Sequence, residues 1–540
     1  MKKISVIILS VFLAGWSPIY AQEEEKEEVP ADGTTLNYFR NDLPYTAKAN
    51  KEFQFLAFFI TQGVSSNFYP ESSLFNGQLV GRLFGQNSST TSDTVTAYYV
   101  EQRIIPFFIY QPKLFNGKAI LRASFEIDWT WGDQAYGLSG NKGSAISADQ
   151  VNIQTQNIEL ELIPYKNWAI NLGLQRLYDT PFNPYRTYFD KMTTTGYRMA
   201  YWGTDAVGVS VRWNRDYSQS KAGFYKLYEN NAQDQDDVTL MELVYRKKLS
   251  MLWNLGGSVY YLTDRAKGQG GVSVFGQGLN STLVNYNGGF NFGLPTNEYE
   301  ADVAWLGAFF SRNPDFWLDR VLVTGFFNYN LGTVDTKENG TWAKKADIGG
   351  MAANLRGAYR YGQTVNDLFS LDLIYTTGDG DGIDNGKYSG VITGNTWGMP
   401  ASIFISSGAY LLFPHANVVN RFTPAIADIS NMGYGLTGGT ANLYRDLIPH
   451  QLNAKIGAAM AYSSVAPQDA GKYMGTELNA ALKYSFGPFM SLELHGAYLW
   501  LGDFYDSNDT SHGTDINGIY NIDRPVDPWT VFLVYKWLMF

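Results

Sequence analysis

The feature that most constrains this sequence is a two-residue periodicity that recurs along most of its length. From Phe53 onward, stretches of nine to thirteen residues alternate apolar side chains with polar or small ones. In residues 119–129, one parity is apolar and the other polar: Leu121, Ala123, Phe125, Ile127 and Trp129 alternate with Arg122, Ser124, Glu126 and Asp128. Because successive side chains of a β-strand point to opposite faces of the sheet, this pattern predicts long strands with one apolar face and one polar face.

The length and the charge of these stretches favour a membrane barrel over a soluble all-β protein. Soluble strands have about five or six residues, whereas a tilted strand of about 9–11 residues spans a bilayer. Aromatic residues make up 16% of the chain, and many stand near the ends of the stretches. The polar parity carries ionised side chains, which a dry core would not tolerate. We therefore predict an all-β fold, a single transmembrane antiparallel β-barrel with long extracellular loops; a large secreted all-β protein is the alternative.

Backbone groups in lipid must all be hydrogen-bonded, so the predicted sheet has to close. Eighteen stretches fit the pattern, and bacterial single-chain barrels have an even number of strands. The predicted strands are 53–61, 95–105, 119–129, 151–162, 168–176, 205–214, 220–228, 237–247, 252–262, 301–311, 320–332, 347–358, 367–377, 404–412, 451–462, 475–485, 490–501 and 528–540. With a periplasmic N-terminus, the connections after odd-numbered strands should be extracellular and long. The long connection 413–450 after strand fourteen breaks this rule, so it indicates a miscounted strand or a long periplasmic segment.

The N-terminus predicts export. Lys2 and Lys3 precede a short apolar run and a small residue, Ala21, which together are typical of a secretory signal peptide at 1–21. The acidic run that follows predicts a disordered periplasmic segment at 22–52, ahead of a barrel domain at 53–540. The chain has no cysteine and a net charge of −10. It therefore has no disulfides, and an acidic chain without a basic patch argues against a nucleic-acid partner.

The C-terminus also indicates the outer membrane. Residues 529–540 form an aromatic final strand that ends in Phe540. Such an end resembles the C-terminal signature of outer-membrane barrels, which the barrel-assembly machinery reads. We therefore expect that machinery and the outer-membrane lipid to be partners of the chain, and we expect the chain to reside in the cell outer membrane.

The polar parity predicts the lining of a channel, since an eighteen-stranded barrel is wide enough to leave an aqueous lumen. The predicted lining residues carry both signs: Arg122, Arg212, Arg246, Arg356, Lys455 and Lys483 with Glu126, Asp128, Glu159, Glu161, Glu242, Asp372, Glu477 and Glu493. A ring of one sign would suit ion selectivity. A mixed wall suits oligosaccharides or other small polar solutes, or else ion pairs that only tie the wall together.

Several motifs resemble the alginate-export-type outer-membrane porins. The matching pieces are Leu172–Arg176, Tyr201–Val207, Leu371–Asp379, Phe413–His415, Gly433–Gly435 and Asn442–Leu443. The resemblance spans roughly residues 150–465 and implies an eighteen-stranded single-chain channel. The chain departs from the family at Leu174 and at Gly203-Thr204. Family members that carry acidic polysaccharide line their channel with arginines, so the balanced wall predicted here implies a passive porin or exporter rather than alginate in particular.

The segment 413–450 is a candidate gate. It holds Pro414, Pro424 and Pro449 and four glycines between 433 and 439, which predicts neither a strand nor a regular helix. We expect it to fold across or into the channel mouth, with Arg421 and Arg445 meeting lumen carboxylates. A loop that packs only at the rim is the alternative.

One cluster of residues resembles a metal site. In Gly378–Gly386, the carboxylates of Asp379, Asp381 and Asp384 are hard oxygen ligands that could hold Ca²⁺. Ile383 occupies the third ligand position of the EF-hand pattern, so a turn without an ion is the alternative. No other cofactor is expected.

The sequence argues against an enzyme. It has four histidines, His415, His450, His495 and His512, but neither a G-x-S-x-G nor an H-E-x-x-H motif. Two alternatives to a channel remain. The long outer loops would suit a non-conducting surface adhesin or anchoring barrel, and an outer-membrane hydrolase is the third possibility.

Overall fold

A computed structural model gives the fold of the chain. It describes residues 52–540 except 71–74, 76, 82–88, 117, 132–151, 177–204, 230–235, 269–293, 297, 315, 317, 393–407, 414–423, 427–428, 488, 508–523 and 540. The predicted signal peptide, nearly all of the acidic segment and Phe540 therefore lie outside the described residues. Among those residues, the structure contains no helix long and apolar enough to span a bilayer.

Eighteen antiparallel strands form the wall of the molecule. They are β1 (Phe53–Ser66), β2 (Ala97–Tyr110), β3 (Ala119–Thr130), β4 (Asn152–Leu162), β5 (Trp168–Arg176), β6 (Asp205–Arg215), β7 (Ser218–Tyr228), β8 (Val238–Lys248), β9 (Trp253–Asp264), β10 (Tyr299–Arg312), β11 (Val321–Glu338), β12 (Thr341–Arg360), β13 (Leu368–Thr376), β14 (Leu436–Ile448), β15 (Leu452–Tyr462), β16 (Tyr473–Gly487), β17 (Met490–Leu501) and β18 (Trp529–Met539).

Each strand pairs with its neighbours in the chain, and the first strand pairs with the last. In β1, Ser66 lies opposite Thr530 of β18 on one side and opposite Ala97 of β2 on the other. The sheet is therefore a closed antiparallel barrel, as the sequence predicts. Closure leaves no free edge along the wall, which satisfies the requirement that backbone groups in lipid be paired.

Shorter elements lie in the connections. A separate three-stranded sheet comprises Phe68–Pro70, Gln78–Gly81 and Ser89–Thr91. Lys387–Tyr388 pairs in parallel with Asp347 and Ile348 of β12. The described 3-10 helices are Lys113–Phe115, Asn431–Gly433 and Asp503–Asp506.

The connections distinguish the two ends of the barrel. Those after even-numbered strands have at most eight residues, as in 111–118 and 313–320, and we name this the turn end. Those after odd-numbered strands form the loop end and include 67–96, 177–204, 265–298, 377–435 and 502–528. The odd connection 339–340 is short because β11 and β12 themselves project, as strands of 18 and 20 residues. Its residues Asn339 and Gly340 both have positive φ, which suits a tight hairpin turn.

Seventeen of the predicted strands overlap observed ones, and the prediction for strand fourteen is wrong. Residues 404–412 are not a strand where they are described, and β14 runs through Leu436–Ile448 instead. The long connection consequently precedes β14 and lies at the loop end, whereas 449–451 closes a short turn behind it. Every connection after an even-numbered strand is then short, and between the described strands the only short odd connection is the hairpin 339–340.

The two faces of the wall differ in chemistry. Outward positions carry large apolar side chains that are exposed to the surroundings, such as Leu243 and Leu478. Inward positions next to them in sequence, such as Glu242 and Glu477, are buried. In β18, where both parities are apolar, Phe532 and Val534 point inward and Val531 and Leu533 outward. This inside-out distribution is the opposite of that in a soluble protein.

Outward aromatic residues gather at both ends of the wall. At the turn end, Trp168 of β5 stacks on Trp213 of β6, with ring centroids 5.5 Å apart. At the loop end, Tyr498 and Trp500 of β17 lie with centroids 4.8 Å apart, and both are exposed. Two such bands match the aromatic girdles of membrane barrels.

Candidate functional site in the lumen

A belt of paired charges runs along the inner wall from β3 to β8. It begins where Arg122 of β3 donates to both Glu159 and Glu161 of β4, at 3.3 Å and 3.1 Å. The cross-strand register places Arg122 directly opposite Glu159, which explains why residues 37 apart in sequence meet. All three side chains are buried, so each charge depends on its partners rather than on bulk water.

The belt continues across the next strands. Arg212 of β6 also pairs with Glu161, which in addition accepts a hydrogen bond from Asn171 of β5 at 3.3 Å. Lys221 of β7 then pairs with Glu242 of β8 at 2.8 Å. Tyr225 and Tyr260 donate to the same carboxylate, at 2.8 Å and 3.3 Å. The result is a segment of the inner wall that carries charges of both signs.

The other predicted lining residues are distributed along the wall. Arg356 and Asp372 lie opposite each other on β12 and β13, with Nε and Oδ2 3.5 Å apart. Arg246 is buried, whereas Lys483 is half exposed near the turn end and lies 3.6 Å from Glu493. The side chains of Glu126 and Asp128 fall outside the described part of the structure.

The connection between β13 and β14, residues 377–435, is named here the lumen segment, because its described residues 392 and 408–412 contact the inner wall. Ile392 contacts the inner wall at β10 and β11: its carbonyl accepts from Nε1 of Trp305 at 2.8 Å, and its N–H donates to Oδ1 of Asn330 at 3.1 Å. Trp305 is completely buried. Further along, Leu411 and Phe413 are also buried in the same apolar cluster. The lumen is therefore narrowed from inside by the chain itself.

The second contact of the lumen segment lies against β15, β16 and β17. The backbone N–H groups of Tyr410, Leu411 and Leu412 donate to the carboxylate of Glu477 at 2.8, 2.9 and 2.7 Å. Lys455 donates to the carbonyl of Gly408 at 2.5 Å. Glu477 and Lys455 are therefore inward side chains, as the sequence predicts, but they bind the backbone of the lumen segment.

The two ends of the lumen segment meet where it leaves and rejoins the wall, which we call its base. Two of the motifs that carry the family resemblance, Leu371–Asp379 and Gly433–Gly435, lie there. Thr376, the last residue of β13, lies opposite Leu436, the first residue of β14. Next to this pair, the N–H of Asp379 donates to the carbonyl of Gly433 at 2.8 Å. A side chain at Gly378 would meet the carbonyl oxygen of Tyr434 at 2.1 Å, so glycine is required for this close approach.

The candidate gate needs correction. Residues 436–448 belong to the wall, so the inserted segment is 377–435 rather than 413–450. Arg445 lies on β14 with 57% of its side chain exposed, and it pairs with Asp367 of the turn 361–367 at 3.6 Å. It therefore stands at the turn end and not on the lumen segment. Arg421 lies outside the described residues.

The predicted calcium ligands do not converge. Asp379 accepts from the N–H and the hydroxyl of Ser389, at 2.6 Å and 2.9 Å, and Asp381 accepts from Asn385 at 2.6 Å. Among the described residues, the carboxylates that come within 4.8 Å of one another are a different set: Glu229, Asp236 and Asp237. The described contacts of the Asp379 and Asp381 carboxylates are hydrogen bonds within residues 379–389, and calcium binding there stays a prediction.

Two of the four histidines are described. The backbone of His450 donates to Asp446. The ring of His495 lies between two inner-wall partners, with Nε2 3.1 Å from Glu493 and Nδ1 2.9 Å from the hydroxyl of Tyr410. His495 thus belongs to the same wall region that holds the lumen segment.

Among the described residues, the inward charges missing from the sequence-based set include Lys221, Glu101 and Lys536. Lys221 shares its parity with Gln219 and Tyr225 and alternates with the exposed Phe224. The two-residue pattern of β7 could therefore have predicted that Lys221 points inward. Glu101 of β2 and Lys536 of β18 lie in strands that are apolar on both parities. Only the observed register shows that Glu101 meets Gln62 and that Lys536 meets Glu493.

No protein-family profile and no curated protein sequence matches the chain. Among solved structures, it is similar to OccAB1 of Acinetobacter baumannii, at 11% identity with a TM-score of 0.45, over 93% of this chain and 100% of that one. It is also similar to OccK2 (OpdF) of Pseudomonas aeruginosa, solved in complex with glucuronate, at 10% identity with a TM-score of 0.42, over 90% of this chain and 97% of that one. For OmpT, an outer membrane protein of Vibrio cholerae, the identity is 9% and the TM-score 0.36, over 91% of this chain and 100% of that one. Similarity at this level assigns the chain to no family, and the alginate-export resemblance stays a prediction.

Proposed function

We propose that this protein is an outer-membrane porin that passes small hydrophilic solutes through the barrel. One observation carries the proposal: the sheet is closed, its exposed outer face is apolar, and its ionised side chains point inward. A soluble protein would pay a large hydrophobic cost for such an outer face. A lipid environment removes that cost and makes the closed wall necessary.

The chemistry of the lumen supports polar, uncharged or mixed-charge solutes. The belt from Arg122 to Glu242 carries both signs, so it does not form the single-sign ring expected of a strongly ion-selective filter. Carboxylates, guanidinium groups and tyrosine hydroxyls on this wall offer both donors and acceptors. The lumen segment narrows the path, which favours small polar molecules and short oligosaccharides over polymers.

The family resemblance supports the same function at a finer level. Two of its motifs, Leu371–Asp379 and Gly433–Gly435, meet at the base of the lumen segment. The segment that narrows the lumen leaves and rejoins the wall at this position, so the two motifs fix its ends. The balanced signs of the wall favour a passive porin over an exporter dedicated to an acidic polysaccharide.

Liposome swelling tests the proposal. The refolded protein is inserted into liposomes, which are diluted into iso-osmotic solutions of mono-, di-, tri- and tetrasaccharides. We expect swelling at a rate that falls steeply with sugar size, because the lumen segment restricts the path. Protein-free liposomes and an unrelated closed eight-stranded barrel are the controls. A folded barrel that gives no swelling with any sugar would contradict the proposal, and cell adhesion or hydrolysis would then be measured.

A further inference from the structure

The lumen segment occupies the inner wall in the manner of a bound peptide. Three consecutive backbone N–H groups, those of residues 410–412, converge on the carboxylate of Glu477. Glu477 has no exposed surface, and Asn479 supports it with a further hydrogen bond of 2.8 Å. A carboxylate in this arrangement recognises amide or ammonium donors by charge-assisted hydrogen bonds, whatever chain carries them.

The same wall region also supplies a donor for a peptide carbonyl. Lys455, one strand away from Glu477, donates to the carbonyl oxygen of Gly408 at 2.5 Å and to the hydroxyl of Tyr410 at 3.0 Å. The wall thus presents an anion to backbone N–H groups and a cation to a backbone carbonyl a few residues away. This pair of groups matches both polarities of a peptide.

An aromatic pocket lies beside these two charges. The ring of Tyr410 meets the rings of His495 and Phe532 edge to face, with centroids 5.0 Å and 5.4 Å apart. The ammonium of Lys455 lies 4.2 Å from the same ring centroid. His495 Nδ1 is 2.9 Å from the phenol oxygen. The pocket therefore contacts the face, the edge and the hydroxyl of a phenol.

We propose that the patch formed by Lys455, Glu477, His495 and Phe532 is a binding site for short peptides that carry an aromatic side chain. Residues 408–412 occupy this site as a tethered internal ligand, and an entering peptide exchanges with them. The inference rests on the proposed function, because it names the solute class for which the porin has affinity. It predicts competition: a free peptide binds only the fraction of molecules in which the tethered residues have left the patch.

Tyr410→Ala should relieve this competition. It removes the phenol from its pocket but leaves every wall group in place. The probe is N-acetyl-tyrosine amide, which carries one phenol and two amides, and its affinity is measured by calorimetry on the folded protein in detergent. We expect Tyr410→Ala to bind the probe at least tenfold more tightly than the native chain, and N-acetyl-alanine amide to show no such gain.

Variants of the wall test the assignment of the charges. In the Tyr410→Ala background, Glu477→Gln and, independently, Lys455→Met should each weaken probe binding at least tenfold. Glu242→Gln is the matched control, since it alters another buried wall carboxylate that binds Lys221 and two tyrosines instead of the segment. Equal affinities for the probe in the native chain and Tyr410→Ala, or no loss with either wall variant, would overturn the inference.

Block of the ion current separates this inference from the proposed function. If the channel conducts and the probe blocks the current of Tyr410→Ala at lower concentration than that of the native chain, the porin function and the peptide site are both supported. Conduction without that difference overturns the peptide site alone. The affinity order by calorimetry without any conduction would support the site and contradict the porin.

Discussion

Arg122 and Glu161 form a two-bond fork on the inner wall, with Nη1–Oε2 at 3.1 Å and Nη2–Oε1 at 3.2 Å. Only 6% and 3% of the two side chains are exposed. Glu161 also neutralises Arg212, so one carboxylate compensates two guanidinium groups on strands β3 and β6. Removing it would leave the buried Arg122 and the partly buried Arg212 with one fewer partner each, which is more costly than deleting the pair as a whole.

Glu161→Gln should therefore lower the free energy of unfolding by about 3 kcal/mol. The measurement is urea-induced unfolding in lipid vesicles, followed by tryptophan fluorescence. Glu298→Gln is the control, because Glu298 pairs with Lys337 at 2.8 Å in an exposed position and should contribute less than about 1 kcal/mol. Equal effects of the two substitutions would show that the belt is not a buried ion network.

The orientation of the wall predicts a difference between two exposed leucines. Leu243 points outward from the middle of β8, whereas Leu249 lies in the turn 249–252. Leu243→Arg places a charge at membrane depth and should cost about 2–4 kcal/mol of unfolding free energy, while Leu249→Arg near the interface should cost about 0–1 kcal/mol. Both are measured by urea unfolding in vesicles, and a larger cost at Leu249 would refute the proposed lipid face.

The hydrogen bond between Trp305 and Ile392 predicts an effect on the ion current through the channel rather than on the stability of the barrel. Trp305→Phe keeps most of the apolar ring but removes the donor to the Ile392 carbonyl, at a cost of about 1–3 kcal/mol to the anchoring of the lumen segment. We expect larger and more frequent current fluctuations in single-channel recordings. Trp342→Phe, which alters an exposed residue of the β11–β12 hairpin, is the control. Indistinguishable recordings for both variants and the native chain would contradict this anchor.

Asp319 at the turn end predicts a specific acid titration. Hydrogen bonds from Arg312 and from the backbone of Val321 lower the pKa of Asp319 from 3.8 to about 2. Because the pKa is depressed in the folded state, the contribution of this carboxylate to stability is present above about pH 4 and is lost as the pH falls to about 2. The carboxyl carbon of Asp319, followed by ¹³C NMR in micelles, should have its midpoint near pH 2.

Arg312→Gln should move that midpoint back toward 3.8, since the bond from Arg312 is the largest cause of the shift. Lys345→Gln changes the net charge equally at the loop end of β12, far from Asp319, and should leave the midpoint unchanged. A midpoint of about 3.8 in the native chain would mean that the Arg312–Asp319 pair does not form in solution.

Much of the barrel follows from local pattern, because a strand with one face in lipid alternates regardless of its neighbours. Strand fourteen shows where this fails. Residues 404–412 read as a strand because Ala409, Leu411 and Leu412 are apolar, but those side chains are buried inside the lumen. Leu436–Ile448 contains Gly438 and Gly439 and lies before Pro449, so its pattern resembles a loop. Sequence alone does not distinguish an apolar segment that faces lipid from one packed inside a barrel.

Many of the residues that line the lumen can be predicted from the sequence, but their contacts cannot. Parity places residues such as Arg122 and Glu477 on the inner face, since each belongs to a strand with a clear alternation. It does not give the register that joins Arg122 to Glu161, nor the path of the lumen segment that reaches Glu477. Those contacts depend on pairings across tens of residues, so they emerge only when the sheet is closed.

Single-channel recording in a planar lipid bilayer tests the central claim most directly. The refolded protein, shown to be a closed barrel by its heat-dependent electrophoretic migration, is added to one side of the membrane in potassium chloride. The claim that the lumen is a water-filled, mixed-charge channel predicts discrete conductance steps with weak preference between potassium and chloride. Insertion of folded protein with no conductance step at any applied voltage would contradict it.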